Sequence, residues 1–264
     1  MKILKLFLVL LFVSQQFMVN SQEINKLNAQ GHKEGEWKSY YSSGTLRYEG
    51  QFADDKPFGV FKYYFQTGEL KTVLEHLADG MVNAKHYYQN GEMMAEGAYK
   101  NQLKQGKWIT YGANNSKVNE GNYIGGKKFE TWKIYYTNGQ VAEEKSYKED
   151  LEVGPFKKYF LNGKLKQEGI YENGYKQGET TFYNIDGSIE IKGSYYRDSH
   201  DGKWIYYNED GSVLREIEYK HGKRLTPLMD DETPEDIELF RDKVKDELEY
   251  EDMQGTIKYD KSRK

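Results

Sequence analysis

The sequence predicts an all-β protein: one elongated antiparallel sheet of about eight stacked β-hairpins in 24-residue repeats, with a short C-terminal helix as cap. Three observations predict it. A tyrosine recurs at 40, 64, 87, 111, 135, 159, 183 and 207, always 24 residues apart except for one step of 23. A turn pair, mostly Asn-Gly or Asp-Gly, follows that tyrosine in each repeat. The composition is also unlike that of an ordinary core, with 24 Tyr and 12 Phe inside a hydrophobic fraction of only 37%. Apolar matter that is scarce and largely aromatic argues against a thick globule and for stacked units that bury each other.

Charge and composition narrow the function classes. The 38 basic and 42 acidic residues leave a net charge of −4, without the positive field of a nucleic-acid binder. No cysteine occurs, which removes disulfides, thiolate metal sites, thiol nucleophiles and a lipoprotein anchor.

The elements follow in order. Lys2 and Lys5 precede the unbroken apolar run from Leu6 to Val13, and small residues lead up to Ser21. This order predicts a secretory signal over residues 1–21, cleaved after Ser21. The run is shorter than the roughly 20 apolar residues needed to span a bilayer. The mature chain is therefore expected to be exported (periplasmic, at the cell surface or secreted) and to have no membrane span. Residues 22–34 form a lead-in segment.

Residues 35–225 hold the eight repeats. Three positions before the anchor tyrosine stand Trp37, Phe61, Ala84, Trp108, Trp132, Phe156, Thr180 and Trp204, a column that takes all four tryptophans of the chain. Asn-Gly and Asp-Gly signal a two-residue type I′ hairpin turn, whose central residues both need positive φ. A turn centred on Asn138-Gly139 makes Tyr136 face Val141, Lys133 face Glu144 and Trp132 face Lys145. The same frame sets Trp37 opposite Gly50, Trp108 opposite Gly121 and Phe156 opposite Gly169, each ring covering the glycine of its own hairpin. It puts Tyr41, Phe65, Tyr88, Tyr136 and Phe160 on that aromatic face, opposite Leu46, Leu70, Met93, Val141 and Leu165. The other face carries opposite charges, Lys38 with Glu49, Lys85 with Glu96, Lys133 with Glu144 and Lys157 with Glu168, each such pair stabilising by roughly 0.2–1 kcal/mol. About sixteen strands at about 4.8 Å each give a sheet on the order of 75 Å long.

The runs Gly178–Tyr195 and Gly202–Tyr219 resemble variant MORN repeats of the bacterial kind, whose pattern is Gly-x-Trp-x-x-Tyr-(Tyr)-x-x-Gly-x-Leu-x-x-Glu-x-x-Tyr. The resemblance implies a stacked-hairpin sheet and a role as an interaction scaffold. Some bacterial members carry an antitoxin label. The family shares no catalytic residues, so the resemblance implies none here.

One stretch departs from the frame. Val73-Leu74 replaces the Glu-Gly pair, His76 replaces an aromatic, and the 23-residue step falls within residues 73–86. This reads as drift in one repeat; the alternative is a local bulge or bend that shapes a binding surface. The fourth repeat carries Asn115 in place of the turn glycine.

Residues 226–264 are an acidic tail of net charge −6, which leaves the repeat body neutral. Thr233-Pro234-Glu235-Asp236 reads as a helix start, and Ile237, Phe240, Val244 and Leu248 recur at helical spacing. A helix over about 234–250 is expected, laid as a cap over the open edge of the last hairpin.

Catalytic constellations are missing. His32, His76, His86, His200 and His221 are scattered without metal-ligand spacing and read as loop or surface residues. Gly125-Gly126-Lys127-Lys128 lacks the spacing of a phosphate loop, and no Gly-x-Ser-x-Gly elbow occurs. The reading is therefore a non-enzymatic protein without cofactor or metal, binding a protein partner and not nucleic acid. The candidate binding stripe is the anchor column (Tyr40, Tyr64, Tyr87, Tyr111, Tyr135, Tyr159, Tyr183, Tyr207), with Trp37, Trp108, Trp132, Trp204, Gly50 and Gly121 as structural residues. The same stripe could instead dock a glycan, which makes a carbohydrate-binding surface protein the alternative.

Overall fold

The computed structural model describes residues 23–227. The expected signal segment and the helix expected at about 234–250 lie outside these residues. The described residues form a single antiparallel sheet without a helix. Strands β1 (Lys26–Leu27), β2 (Lys33–Tyr40), β3 (Leu46–Ala53), β4 (Lys56–Tyr64), β5 (Leu70–His76) and β6 (Met81–Tyr87) open it. They are followed by β7 (Met93–Lys100), β8 (Leu103–Tyr111), β9 (Lys117–Ile124), β10 (Lys127–Tyr135), β11 (Val141–Lys148), β12 (Leu151–Tyr159) and β13 (Leu165–Glu172). Next come β14 (Tyr175–Lys176) and β15 (Gly178–Tyr183), one strand interrupted at Gln177, and then β16 (Ile189–Tyr196), β17 (Ser199–Tyr207), β18 (Val213–Lys220) and β19 (Lys223–Arg224). Pairing runs in chain order from β1 to β19, so each hairpin stacks on the next.

The turn inside each hairpin is not the expected type I′. Among the eight turn pairs only the second residue has positive φ, as at Gly139 (84°) and Asn115 (60°). Gly139 N–H donates to the Tyr136 carbonyl and Tyr136 N–H to the Gln140 carbonyl. This is a type I turn over Thr137-Asn138 followed by a glycine bulge. The asparagine serves through its side chain: Asn138 Oδ1 accepts the Gln140 N–H at 3.0 Å. The extra residue shifts the register by one at the turn end. Tyr135, not Tyr136, faces Val141, whereas Ile134↔Glu143, Lys133↔Glu144 and Trp132↔Lys145 pair as expected. By the same shift Tyr40 faces Leu46, Tyr64 faces Leu70 and Tyr159 faces Leu165, so Tyr41, Phe65 and Phe160 do not.

Type I′ turns occur between hairpins instead. Both central residues have positive φ at Asp54-Asp55, Asn101-Gln102, Gly125-Gly126, Glu149-Asp150, Asn173-Gly174, Arg197-Asp198 and His221-Gly222. A second irregularity lies in the strand after most of these turns. Between β3 and β4 the pairing jumps from Glu49↔Lys62 to Gln51↔Phe58, so Gly59, Val60 and Phe61 oppose Gly50 alone. The bulge begins with a residue at positive φ, at Gly59 (64°), Gly106 (67°), Gly202 (69°) and even Glu130 (59°).

That bulge decides which glycine an aromatic ring covers. Trp37↔Gly50 and Trp108↔Gly121 are backbone partners as expected, but most rings fold the other way, onto the preceding repeat. A Cβ on Gly50 would lie 2.3 Å from the Phe61 ring, on Gly97 2.4 Å from Trp108, on Gly121 2.2 Å from Trp132, and on Gly193 2.3 Å from Trp204. Only a glycine lets the rings come so close. Phe156 is the exception: its preceding neighbour is Lys145, and it lies over Gly169 of its own hairpin. Gly169 is free to receive it because the next repeat offers Thr180 in place of a ring. Phe61, Trp108, Trp132, Phe156 and Trp204 are buried by this packing, with Tyr99, Tyr123 and Tyr195 set edge-on between them.

Candidate interaction surface

The face opposite the rings carries a ladder of alternating charge. Lys133 stands between Glu120 and Glu144, and Lys157 between Glu144 and Glu168. The Lys133 ammonium lies 2.8 Å from Glu144 Oε1, and Lys38 lies 3.9 Å from Glu49.

The anchor tyrosines belong to this ladder. Five of the eight reach back to the glutamate fifteen residues earlier, in the preceding repeat: Tyr64 Oη–H donates to Glu49 at 2.7 Å, Tyr111 to Glu96 at 2.8 Å, Tyr159 to Glu144 at 3.3 Å and Tyr183 to Glu168 at 2.7 Å. Tyr135 donates likewise to Glu120. Five hydroxyls of the candidate binding stripe thus tie repeat to repeat. Val73 and Lys192 stand where Tyr87 and Tyr207 would find a glutamate. Tyr40, in the first repeat, is 53% exposed. The next column clasps forward: Tyr41, Tyr88 and Tyr136 donate to the carbonyls of Tyr64, Tyr111 and Tyr159.

Burial and hydrogen bonds set the ionisation of these groups. Burial, then the Glu49 carboxylate, pushes the Tyr64 phenol up to about 12. Burial alone would raise the Glu120 carboxyl, but hydrogen bonds from Tyr135, Lys107 and Lys117 outweigh it and hold it at about 2.

On the aromatic face a lysine column covers the rings. Lys33 Nζ lies 4.8 Å from Trp37 and 4.7 Å from Phe52, Lys104 4.4 Å from Trp108 and 4.9 Å from Tyr123, and Lys128 4.7 Å from Trp132. Such contacts favour the cation, yet burial lowers the pKa of Lys104 and Lys128. In the eighth repeat His200 fills the lysine position, 3.9 Å from Trp204 between ring centroids. It is not the surface histidine expected: burial, then the Lys176 charge, brings its pKa down to about 4. His86 likewise stacks on Trp108. The sequence reading missed this column although it keeps the 24-residue period at another phase.

The exposed apolar side chains missed in the same way flank the type I′ turns. Leu103, Ile124, Leu151, Tyr175 and Tyr196 are each about half exposed, at 50%, 54%, 52%, 48% and 42%. A shallow depression of about 210 Å³ is lined by Glu36, Glu49, Gly50, Gln51, Val60 and Lys62. Among the described residues no cluster of His, Asp or Glu could hold a metal ion, and no helix is long and apolar enough to cross a membrane.

This geometry defines a repeat protein of stacked β-hairpins locked together by rings on glycines and tyrosines on glutamates. Residues 33–54, 83–101, 131–149, 152–173 and 201–221 match the family model of the MORN repeat variant. The chain is a MORN-variant repeat protein. The hairpins between those segments (β4–β5, β8–β9, β15–β16) pair in the same way. No curated protein sequence matches the chain. Similar solved structures include the crystal structure of TcdB2-TccC3, at 10% identity and TM-score 0.24, covering 73% of this chain and 13% of that one. Another is the GtfA/B complex bound to UDP and GlcNAc, at 13% identity and TM-score 0.18, covering 65% and 27%. The chain thus spans a small part of each, and likeness at this level defines neither a shared fold nor a shared activity.

Proposed function

We propose that the chain is an exported, non-enzymatic repeat scaffold that binds other proteins in the cell envelope or at the cell surface. The observation that carries this reading is the division of labour along the sheet. The polar and aromatic columns are largely spent in holding repeats together, whereas Leu103, Ile124, Leu151, Tyr175 and Tyr196 leave apolar surface beside successive type I′ turns. Apolar side chains repeated along one margin suit an extended protein contact. Export rests on the basic and apolar order of residues 2–21. Crosslinking with mass spectrometry in native envelope tests both points. Crosslinks to a consistent partner set, lost in an Ile124→Glu, Leu151→Glu double variant that keeps its fold, are expected; recovery of the chain only from cytoplasm would refute export. The carbohydrate alternative has less support, since five anchor hydroxyls already serve glutamates. A glycan array with Tyr135→Ala and Tyr159→Ala controls tests it.

A further inference from the structure

The half-exposed apolar side chains beside the type I′ turns form one stripe along the sheet. Each has a partner across its turn: Leu103 with Lys100, Ile124 with Lys127, Leu151 with Lys148, Tyr175 with Glu172 and Tyr196 with Ser199. Their chain neighbours Lys104, Tyr123, Lys176 and Tyr195 pack on the rings, as does Tyr147 beside Lys148. Side chains alternate along a strand, so the stripe lies on the charge-ladder side. Its members bridge from turn to turn. A Cβ on Gly126 would stand 3.3 Å from Leu103 Cδ2, one on Gly174 3.6 Å from Leu151 Cδ2, and the Tyr196 ring lies 4.6 Å from that of His221. The charges set along it are mainly basic. Lys100, Lys127, Lys148 and Arg197 are exposed. Against them stand Glu172 and Glu149, the latter 3.1 Å from Lys127. Asp150 and Asp198 turn inward, where they accept the Lys128 and Lys176 N–H.

An apolar and basic stripe selects an occupant that is apolar and acidic, and this chain carries one. Residues 234–250 hold seven acidic and three basic residues around Ile237, Phe240, Val244 and Leu248. We propose that this segment of the tail docks on the stripe of its own chain, with its apolar residues on Tyr196, Tyr175 and Leu151 and its carboxylates beside Arg197 and Lys148. The lengths agree. Ten residues lead from Pro227, where the described residues end, to Ile237, a reach of up to about 33 Å. Successive turns stand about 9.6 Å apart, and Tyr196 is one turn back from His221-Gly222. Ile237 to Leu248 covers about 16 Å on the expected helix, close to the roughly 19 Å over the two repeats from Tyr196 to Leu151. The edge of β18 offers the segment less. Lys223, Arg224, Leu225 and Thr226 already bond along Glu218, Tyr219 and Lys220 there, and Ile217 is 2% exposed. Tethering also favours the chain's own tail over a second copy, since a short linker holds it at an effective concentration on the order of mM.

The docking stands without the scaffold reading; only its consequence, that a partner must displace the tail from Leu151, rests on that reading. Zero-length carbodiimide crosslinking, read by mass spectrometry on a mixture of unlabelled and heavy-nitrogen-labelled mature chain, tests it. Links from Lys148 to Glu247 or Glu249 within one chain are expected at every protein concentration. A Val244→Glu, Leu248→Glu variant, which leaves every residue of the sheet unchanged, should lower them at least about tenfold, as two apolar side chains lose their burial. Absence of these links would overturn the proposal, as would their persistence in the variant. So would links formed only between labelled and unlabelled chains, which make the occupant a second copy. Links confined to Lys220 and Lys223 would also overturn it and place the tail at the edge of β18. Failure to recover any partner while the Lys148 links remain would refute the scaffold reading alone. Recovery of partners without the Lys148 links would refute the docking alone.

Discussion

The direction in which the rings fold can be read by one substitution, Gly121→Ala. The added Cβ would meet Trp132 Cδ2 at 2.2 Å, far inside contact distance. Trp132 has little room to yield: it is 6% exposed, has Tyr123 edge-on at 5.0 Å, and donates from Nε1 to the Asn122 carbonyl at 3.2 Å. Overpacking of this kind costs about 1–3 kcal/mol, and losing the indole hydrogen bond adds about 1 kcal/mol. Trp132→Ala alone should cost about 3–5 kcal/mol. With the ring gone, the three nearest obstacles to a Cβ at 121 are removed, and Ala there is expected to be neutral or to stabilise by about 0.5–1 kcal/mol, because strand glycine is entropically costly. The two sites should therefore couple by about 2–5 kcal/mol. Trp108 is the backbone partner of Gly121 in its own hairpin, yet its ring lies on Gly97, so Gly121→Ala with Trp108→Ala should be additive to within about 0.5 kcal/mol. Urea unfolding followed by circular dichroism gives the cycle. Hydrogen exchange over residues 118–134 localises the loss if the array unfolds in segments. Stronger coupling to Trp108 than to Trp132, or a neutral Gly121→Ala, would refute the packing described.

Three further expectations concern ionisation and backbone. The folded Glu120 carboxyl lies at about 2 against an ordinary 4.5, so its stabilisation is present above about 4.5 and is lost as pH falls toward 2; Glu120→Gln should flatten the urea midpoint against pH in that window. His200 lies at about 4 against 6.5; being favoured neutral, it stabilises above about 6.5 and loses that contribution as pH falls to about 4, so His200→Gln should reduce the slope between those values, and an NMR titration should place the ring's pKa near the lower one. Glu130 holds φ 59° where other repeats use glycine, so Glu130→Gly should raise the melting temperature by about 2–4 °C per kcal/mol of strain relieved, less the bond from Asn122 Nδ2 that it loses.

The sheet, the hairpins and the charge ladder were legible because they depend on period and parity. Lys133↔Glu144 follows from any turn near Asn138-Gly139 that keeps strand parity at the ladder. The residues beside the turn were not legible, because type I′ and bulged type I turns share the Asn-Gly signature and differ only in the φ of asparagine. The type I′ turns went unread for the converse reason: Glu149-Asp150 and Arg197-Asp198 adopt positive φ without the usual residues, the hairpin closure overriding local preference. The anchor column was recognised, but its role was not, since the partner of Tyr135 is fifteen residues back across a repeat boundary.

The irregular stretch at 73–86 follows from the same packing logic. At most other junctions a bulge adds residues after the type I′ turn so that a ring can fold back onto a glycine. Between β5 and β6 that glycine is Leu74 and the ring is Ala84, and the two are direct partners in an uninterrupted ladder from Thr72↔His86 to His76↔Val82. Leu74 supplies the bulk that the ring supplies in other repeats, and Ala84, 2% exposed, supplies the room. With the sizes exchanged the bulge has no purpose. The strand is then two residues shorter, and the turn at Ala78-Asp79-Gly80 is one residue longer than a type I′ turn, closed by Gly80 N–H on the Leu77 carbonyl. Two fewer and one more account for a step of 23 where the others take 24. Residues 73–86 thus join two hairpins by a regular ladder, and leucine on alanine goes with the step of 23, whereas the bulged junctions keep 24, including those at Phe156 and Thr180 where no ring lies on a preceding glycine.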